Sequence, residues 1–151
     1  MPVTGDTIVL LADCSRCQVC HIQPGMVLLS GTVVRTIIVS QFTGWLYTIS
    51  PHFIATGDTI IGENKQVAKT VTTKRHYATT DVYDFAFSIY SVPIITTNNH
   101  AFWSDVCSAI DNIQQMQILR MPELIEFDPD SKVYHRIWDA EAKVWRHELV
   151  V

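Results

Sequence analysis

A five-residue segment occurs twice in this chain, and this repeat restricts the fold more than any other feature. Thr4-Gly5-Asp6-Thr7-Ile8 recurs unchanged as Thr56-Gly57-Asp58-Thr59-Ile60, and each copy continues into aliphatic residues. Gly-Asp is turn chemistry, so each copy predicts a turn followed by a strand. Only two copies are present and the similarity fades outside them, which argues against a solenoid. The sequence predicts a pseudo-symmetric pair of β-units, with chance similarity between two turns as the alternative.

Length and composition indicate one compact domain over residues 1–151. The chain is 48% hydrophobic and 17% charged, so it can bury a substantial core and lacks the polar bias of disordered sequences. Its net charge of -4 provides no general attraction to phosphate backbones. Nucleic acid is therefore not a predicted partner.

The apolar runs and the cysteines bear on location. The longest apolar runs, residues 8–12 and 26–29, are too short to cross a bilayer, so no membrane partner is predicted. The sequence does not open with a secretory signal pattern. Three of the four cysteines lie within seven residues, which suits reduced thiols or a metal better than disulfides. These features favour a reducing, cytoplasmic location.

The first two thirds of the chain predict a mainly β body. Clusters of Gly, Pro, Asn and Asp separate short runs rich in β-branched and aromatic residues. The predicted strands are residues 7–12, 26–29, 33–40, 45–49, 59–61, 67–71 and 82–90. The polar stretch 70–76 predicts a mobile loop.

The last third predicts one helix and one hairpin. Residues 104–119 combine an N-cap serine with an apolar stripe at helical spacing, and Met121-Pro122 ends the pattern. Residues 132–138 and 143–149 alternate apolar and polar side chains about a short acidic turn. This pattern predicts a terminal β-hairpin.

A cluster of thiols follows the first predicted strand. Cys14, Cys17 and Cys20 have the spacing of a zinc knuckle, with His21 or Cys107 as the fourth ligand. The segment 17–21 also fits the C-x-x-C-H pattern of haem attachment, which requires export and a haem pocket that the sequence does not indicate. In a third interpretation the cysteines are small residues that fill a hairpin. Zinc is thus the one cofactor that the sequence suggests.

Two polar side chains stand among apolar neighbours. His52 follows the strand predicted at 45–49, and Asp84 lies within the strand predicted at 82–90. Such residues are either hydrogen-bonded structural groups or members of a site. The usual motifs of serine hydrolases, phosphate-binding loops and zinc proteases are absent from the sequence.

Taken in order, four segments resemble blocks of the Hint family, the hedgehog and intein autoprocessing domains. Residues 3–13 resemble the first block, in which Gly-Asp-Thr leads to a Leu-Ala-Asp end, and residues 19–30 resemble the following Pro-Gly-Asp-x-Val-Leu-Ser segment, with Met26 at the acidic position. Residues 48–53 are similar to the Thr-x-x-His block, and residues 82–87 to the Val-Tyr-Asp-Leu block. The order of the blocks carries the resemblance, which covers residues 2–100.

The resemblance implies a pseudo-twofold β fold in residues 2–100, with residues 101–151 as a helix-and-hairpin extension like those of Hint relatives attached to von Willebrand-type domains. It also implies an acyl shift, in which a thiol or hydroxyl at the first residue of the domain attacks the preceding carbonyl. His52 would donate a proton to the amide nitrogen and Asp84 would assist later transfer, with Thr48 as a hydroxyl beside the block-threonine position. The implied partner is a covalently attached flanking protein segment.

The sequence departs from the family at three points. Pro2 stands at the nucleophile position and has neither thiol nor hydroxyl, and Ile49 stands at the position of the block threonine. Asn98-Asn99-His100 has the reverse order of the His-Asn pair that ends a splicing domain. We therefore expect the chain to be inactive as it stands. The alternatives are a non-catalytic binding module with a Cys/His zinc site and a structural β-domain buried in a viral oligomer.

Overall fold

The computed structural model describes residues 3–87, 93–103 and 133–150. Strands make up most of these ranges, which confirms the mainly β fold. The strands are β1 (Val3–Thr4), β2 (Ile8–Leu10), β3 (Arg16–Gln18), β4 (Val34–Ser50), β5 (Phe53–Thr56), β6 (Ile60–Ile61), β7 (Gln66–Val67), β8 (Arg75–Phe87), β9 (Ile94–Ile95), β10 (Ala101–Trp103), β11 (Val133–Asp139) and β12 (Val144–Val150). Helix in the described ranges is confined to α1 (Ala68–Val71) and to 3-10 turns at Val19–His21 and Thr97–Asn99.

The largest sheet is organised around two long antiparallel strands, β4 and β8, which pair along almost their whole length. The second half of β4 also pairs with β5, and β1 lies between β5 and β8. The strands β4, β5, β1 and β8 therefore form a closed circuit of pairings. The first half of β4 pairs in parallel with β11, and β12 completes that edge of the sheet.

The register of this circuit relates its two halves by a pseudo-twofold axis. Val3 and Ala55, which precede the two copies of the repeat, pair with each other across β1 and β5. Val3 also pairs with Tyr83 on β8, and Ala55 pairs with Tyr47 on β4. Thr43 and Thr79, which lie four residues before these two tyrosines, also pair with each other. A residue that pairs with the equivalent residue of the other half must lie on the pseudo-twofold axis. The axis therefore passes through the Val3–Ala55 and Thr43–Thr79 pairs, and it relates β1 to β5 and β8 to β4.

Each repeat forms the same polar turn. In the first copy the Thr4 hydroxyl donates to the Asp6 carboxylate and lies 3.2 Å from the Thr7 hydroxyl, while the Thr7 N–H donates to the Thr4 carbonyl at 3.2 Å. The second copy makes the same three contacts among its own residues, at 2.8, 3.0 and 3.1 Å. The threonines are buried in both copies. Buried hydroxyls need partners, and the neighbouring carboxylate and threonine provide them.

A hairpin and a short helical turn follow each polar turn. The β2–β3 hairpin leads to the 3-10 turn at Val19, and the β6–β7 pair leads to α1 at Ala68. The Val19 N–H donates to the Thr7 carbonyl at 2.8 Å, and the Ala68 N–H donates to the Thr59 carbonyl at 2.9 Å. The structure thus confirms the pair of related β-units that the repeat predicts.

Glycine is required in the repeat because a ring packs directly on it. A Cβ atom at Gly5 would lie 3.0 Å from both the Tyr83 ring and the Cys20 Cβ. A Cβ atom at Gly57 would lie 3.0 Å from the Tyr47 ring. Contacts this short force neighbouring atoms to move in a packed interior.

The core lies inside the closed circuit and continues under the β9–β10 segment. Its largest fully buried side chains are Phe53, Phe85, Phe102, Leu28, Leu46 and Ile94. The rings of Phe53 and Phe102 have centroids 5.5 Å apart. The short sheet that contains β9 and β10 is therefore packed onto the same core as the long strands.

Several predicted boundaries are wrong. The strands predicted at 33–40 and 45–49 are one continuous strand, because Gly44 does not turn the chain but makes room for the Phe42 ring, 2.8 Å from where its Cβ would stand. The predicted strand 67–71 becomes the helical turn α1 after one strand residue. Residues 26–29 contribute only isolated bridges.

The polar stretch 70–76 is also not a loop throughout, since β8 begins at Arg75. It is polar because most of its residues are exposed. The terminal hairpin is confirmed, with β11 and β12 paired from Val133 with Val150 to Asp139 with Val144. The helix predicted at 104–119 lies outside the described residues. Among the residues that are described, we find no helix with the length and apolar character needed to span a membrane.

Candidate functional site

The described members of the predicted zinc site do not form a metal-binding group, and Cys107 lies outside the described residues. Within the described ranges, no three His, Cys, Asp or Glu side chains form a group that could hold a metal ion. Cys14 lies in a left-handed turn with φ of 65°, Cys17 lies on β3 and Cys20 lies in the following 3-10 turn with His21. The zinc interpretation of this segment is therefore not supported.

The three thiols differ in exposure. Cys14 and Cys20 are exposed, whereas Cys17 is partly buried. Burial raises the pKa of the Cys17 thiol, and the neighbouring Cys20 raises that pKa further. Because the thiolate is the nucleophile, a raised pKa lowers the reactivity of Cys17 at neutral pH.

We expect iodoacetamide at pH 8 to alkylate Cys17 several-fold more slowly than Cys14 or Cys20, because Cys17 is less accessible and because burial raises its own pKa. Quenched time points read by peptide mass spectrometry measure the three rates in the native protein. The same reaction in concentrated urea is the control, and there the rates should converge. Equal rates in the native protein would contradict the assignment.

His52 lies at the surface between β4 and β5. The residue is exposed, and its backbone carbonyl accepts a hydrogen bond from the Ile8 N–H at 2.9 Å. Thr48, on β4, is partly buried and pairs with Ile54 of β5. The backbone of His52 therefore has a structural role in holding the start of β2.

Asp84 has a different environment. It is only 5% exposed, lies on β8 and pairs with Ile38 of β4. Its neighbour Tyr83 pairs with Val3, so the antiparallel register carries Asp84 alongside the beginning of β1. A buried carboxylate requires polar partners, and Asp84 is not without an interaction partner.

The strand register does not bring His52 and Asp84 together. β1 lies between β5 and β8 and is antiparallel to both, with Val3 paired to Ala55 on one side and to Tyr83 on the other. Asp84 is therefore level with the start of β1, and His52 is level with the turn after it. The offset is about four residues, or about 13 Å along the strand direction. Of the two, Asp84 alone lies beside the start of β1.

A second histidine lies in a more constrained turn, between β9 and β10. Asn98 and Asn99 both have left-handed backbones, with φ of 66° and 60°. Thr96 closes the turn, since its N–H and its hydroxyl both donate to the His100 carbonyl, at 2.8 and 3.1 Å. Consecutive left-handed residues other than glycine are strained and concentrate at functional loops.

Thr97, inside this turn, is buried, and its hydroxyl has no hydrogen-bond partner among the described residues. The buried hydroxyl of Ser50, at the end of β4, also has no hydrogen-bond partner among the described residues. Thr97 and His100 have the Thr-x-x-His spacing that the resemblance implies but that is missing at Ile49 and His52. This spacing is readable from the sequence, although the family resemblance places the block at residues 48–53.

The His100 turn packs on the shared core and borders a cavity. His100 is partly buried, and its ring centroid lies 6.2 Å from that of Phe53. Thr96 bridges to Val9 in the first repeat unit. A cavity of about 290 Å³ adjoins the turn, lined by Gly62, Glu63, Pro93, Ile95, Asn99, His100, Ala101 and Trp103. The turn therefore combines an imidazole, a buried hydroxyl and space for a neighbouring group.

Comparison of the chain with protein-family models and with curated proteins gives no match. A function must therefore be inferred from the geometry and chemistry of these residues.

Proposed function

We propose that this chain has the architecture of a self-processing domain of the Hint type, which would convert the peptide bond before residue 2 into an ester or thioester if that residue carried a thiol or hydroxyl, and which is inactive with Pro2 at that position. The observation that carries the proposal is the duplicated β-unit, in which β1 lies between β5 and β8 in the closed circuit, with the buried Asp84 alongside its beginning. The similarity of residues 3–13, 19–30 and 82–87 to blocks of the family supports the same function.

The reaction requires four groups. A thiol or hydroxyl at position 2 attacks the carbonyl carbon of the preceding residue, the C–N bond breaks, and the amide nitrogen takes up a proton. A donor must supply that proton, and a polar group must stabilise the negative charge on the attacked oxygen. Asp84 is the carboxylate that assists proton transfer at the nucleophile. The sequence has Pro2 at the nucleophile position, so the chain with proline there does not start the reaction.

We assign proton donation to His100 and not to His52, with Thr97 as the polarising hydroxyl. His100 is partly buried in a turn closed by two hydrogen bonds, whereas His52 is exposed. The unpartnered hydroxyl of Thr97 can bond a reacting oxygen without first breaking a bond within the described residues. Fixed, partly desolvated groups are more effective in catalysis than mobile surface groups.

The test restores the nucleophile. A reporter protein is fused ahead of residue 1, Pro2 is replaced with cysteine, and release of the reporter in dithiothreitol is followed by gel and mass spectrometry. We expect thiol-dependent release from the P2C fusion and none from the unchanged fusion. Asp84→Asn and His100→Ala in the P2C fusion should each slow release by about 100-fold or more, the usual contribution of acid–base groups.

His52→Ala is the matched control, because it removes an imidazole that is exposed. It should leave the rate within about twofold of the parent, since an uninvolved group makes no acid–base contribution. If H52A abolishes release and H100A does not, the donor is His52 and only the residue assignment is wrong. If the P2C fusion releases no reporter while its circular dichroism matches that of the unchanged fusion, self-processing itself is contradicted.

A further inference from the structure

One edge of β8 is open over half its length. On one side β8 pairs with β4 along the whole strand, whereas on the other side β1 pairs only with Val82 and Tyr83. Within the described part of the chain, no strand pairs with the outer edge of residues 75–81. Exposed edges are usually blunted by Lys, Pro or a bulge. Residues 75–81 carry charged side chains only at the two ends, Arg75 and Asp81, with His, Tyr, Ala, Thr and Thr between them, and β8 has no register shift there.

A groove of about 550 Å³ follows this edge. Four consecutive residues of β8, positions 78–81, line it. Side chains alternate between the two faces of a strand, so four consecutive residues can line one groove only where it follows the strand edge. The other lining residues are Thr4, Gly5, Asp6, Cys20, Leu46, Ile54, His76 and Tyr83. The groove therefore lies between the free edge of β8 and the polar turn of the first repeat.

The groove is acidic. Asp6 and Asp81 stand in opposite walls and are both exposed, and none of the described residues that line the groove is Lys or Arg. Burial raises the pKa of Tyr83, and the nearby Asp81 and Cys20 raise that pKa further, so the phenol stays protonated as a hydrogen-bond donor. A positively charged side chain complements two carboxylates placed in this way.

The groove is present in only one of the two pseudo-twofold halves, so the shared fold alone does not produce it. In the other half Phe42 and Gly44 stand where Ala78 and Thr80 stand in β8. The Phe42 ring packs over Gly44. The Phe42 ring therefore covers, in the β4 half, the surface that the small residues of β8 leave open. On the facing wall, Lys69 takes in the β4 half the position that Cys20 has beside the groove. The open, acidic edge belongs to one half alone.

We propose that this groove binds an extended peptide segment of another protein, which adds as a strand to residues 75–81 and places a Lys or Arg side chain between Asp6 and Asp81. Main-chain hydrogen bonds to the strand edge supply affinity, and the side-chain pocket selects the sequence. This inference does not depend on the proposed self-processing.

The probe is a fluorescein-labelled peptide that alternates lysine with threonine and valine, titrated with the full chain and followed by anisotropy. One twin carries glutamate for lysine, and a second twin is N-methylated at alternate amides so that it cannot donate along a strand. We expect saturable binding of the lysine peptide only. Hydrogen exchange should show new protection of the amides between residues 76 and 81 when the lysine peptide is bound.

Asp81→Asn should weaken binding of the lysine peptide by about tenfold, as expected for loss of one charge-assisted bond. Glu63→Gln is the matched control, because it removes an exposed carboxylate that does not line this groove, and it should not change the affinity. Asp6→Asn provides a second groove variant if D81N changes the amide NMR spectrum. The proposal is overturned if the lysine peptide does not bind, if its N-methylated twin binds equally well, or if neither groove variant weakens binding.

Discussion

Replacing Phe53 with alanine is expected to lower the free energy of unfolding by about 3–5 kcal/mol. Phe53 is fully buried at the start of β5, with its ring 5.5 Å from that of Phe102 and 6.2 Å from that of His100. The substitution removes both the transfer free energy of the ring and its packing contacts. The surrounding strands are held in register by their backbone bonds, so the cavity cannot collapse fully.

Urea unfolding, followed by fluorescence and analysed by linear extrapolation, measures this effect. Tyr77→Ala is the control, because it removes a ring that is 62% exposed and packs edge-on against Trp45. The control should cost less than about 1.5 kcal/mol, the upper range for an aromatic pair. If F53A costs no more than Y77A, Phe53 does not link the β9–β10 segment to the core in the way described.

Replacing Thr7 with valine is expected to lower the free energy of unfolding by about 3 kcal/mol, although the two side chains have nearly the same shape. Thr7 is fully buried, and its hydroxyl accepts the Ile54 N–H at 3.1 Å and donates to the Ile54 carbonyl at 3.1 Å. Valine would leave the Ile54 N–H without this hydroxyl, and the Ile54 carbonyl would keep only the longer contact to the Thr4 hydroxyl at 3.4 Å. Each buried group that loses its partner costs about 1–3 kcal/mol.

Thr43→Val tests whether the expected loss is due to burial. The Thr43 hydroxyl also makes a hydrogen bond, 2.9 Å from the Thr79 hydroxyl on the pseudo-twofold axis, but both residues are exposed. Water replaces the lost partner at the surface, so this change should stay within about 0.5 kcal/mol. Both variants are measured by urea unfolding. A T7V loss as small as the T43V loss would show that the polar turn of the repeat does not stabilise β5.

Local patterns predicted much of the secondary structure. The repeated pentapeptide predicted two equivalent units because turn residues and a buried threonine have the same local requirements in both copies. The terminal hairpin was readable because strict alternation of apolar and polar residues has the period of a strand. Boundaries failed where a distant residue decided the outcome. Gly44 continues a strand because the Phe42 ring fills the space above it.

The candidate site was less predictable. The sequence identifies Asp84 as a polar residue in an apolar strand. Because Asp84 is buried beside the start of β1, it remains a candidate residue of the proposed self-processing site. His52 met the same criterion and proved to be exposed. The sequence prediction did not include His100 as a proton donor, although Thr97 precedes it at the Thr-x-x-His spacing. Sequence spacing identifies residue types, but burial and backbone strain depend on how strands distant in the sequence pack together.

By itself the sequence determined the β character, the duplication and the chemistry that is present in the chain, because these depend on residue types and short-range periodicity. Only the tertiary structure decided that no three described His, Cys, Asp or Glu side chains gather as a metal site, that Asp84 and His52 lie at opposite ends of β1, and that no described strand pairs with one edge of β8 over residues 75–81. The physical reason is the register. Cross-strand pairing sets which side chains meet, and it is determined by contacts between residues far apart in the chain.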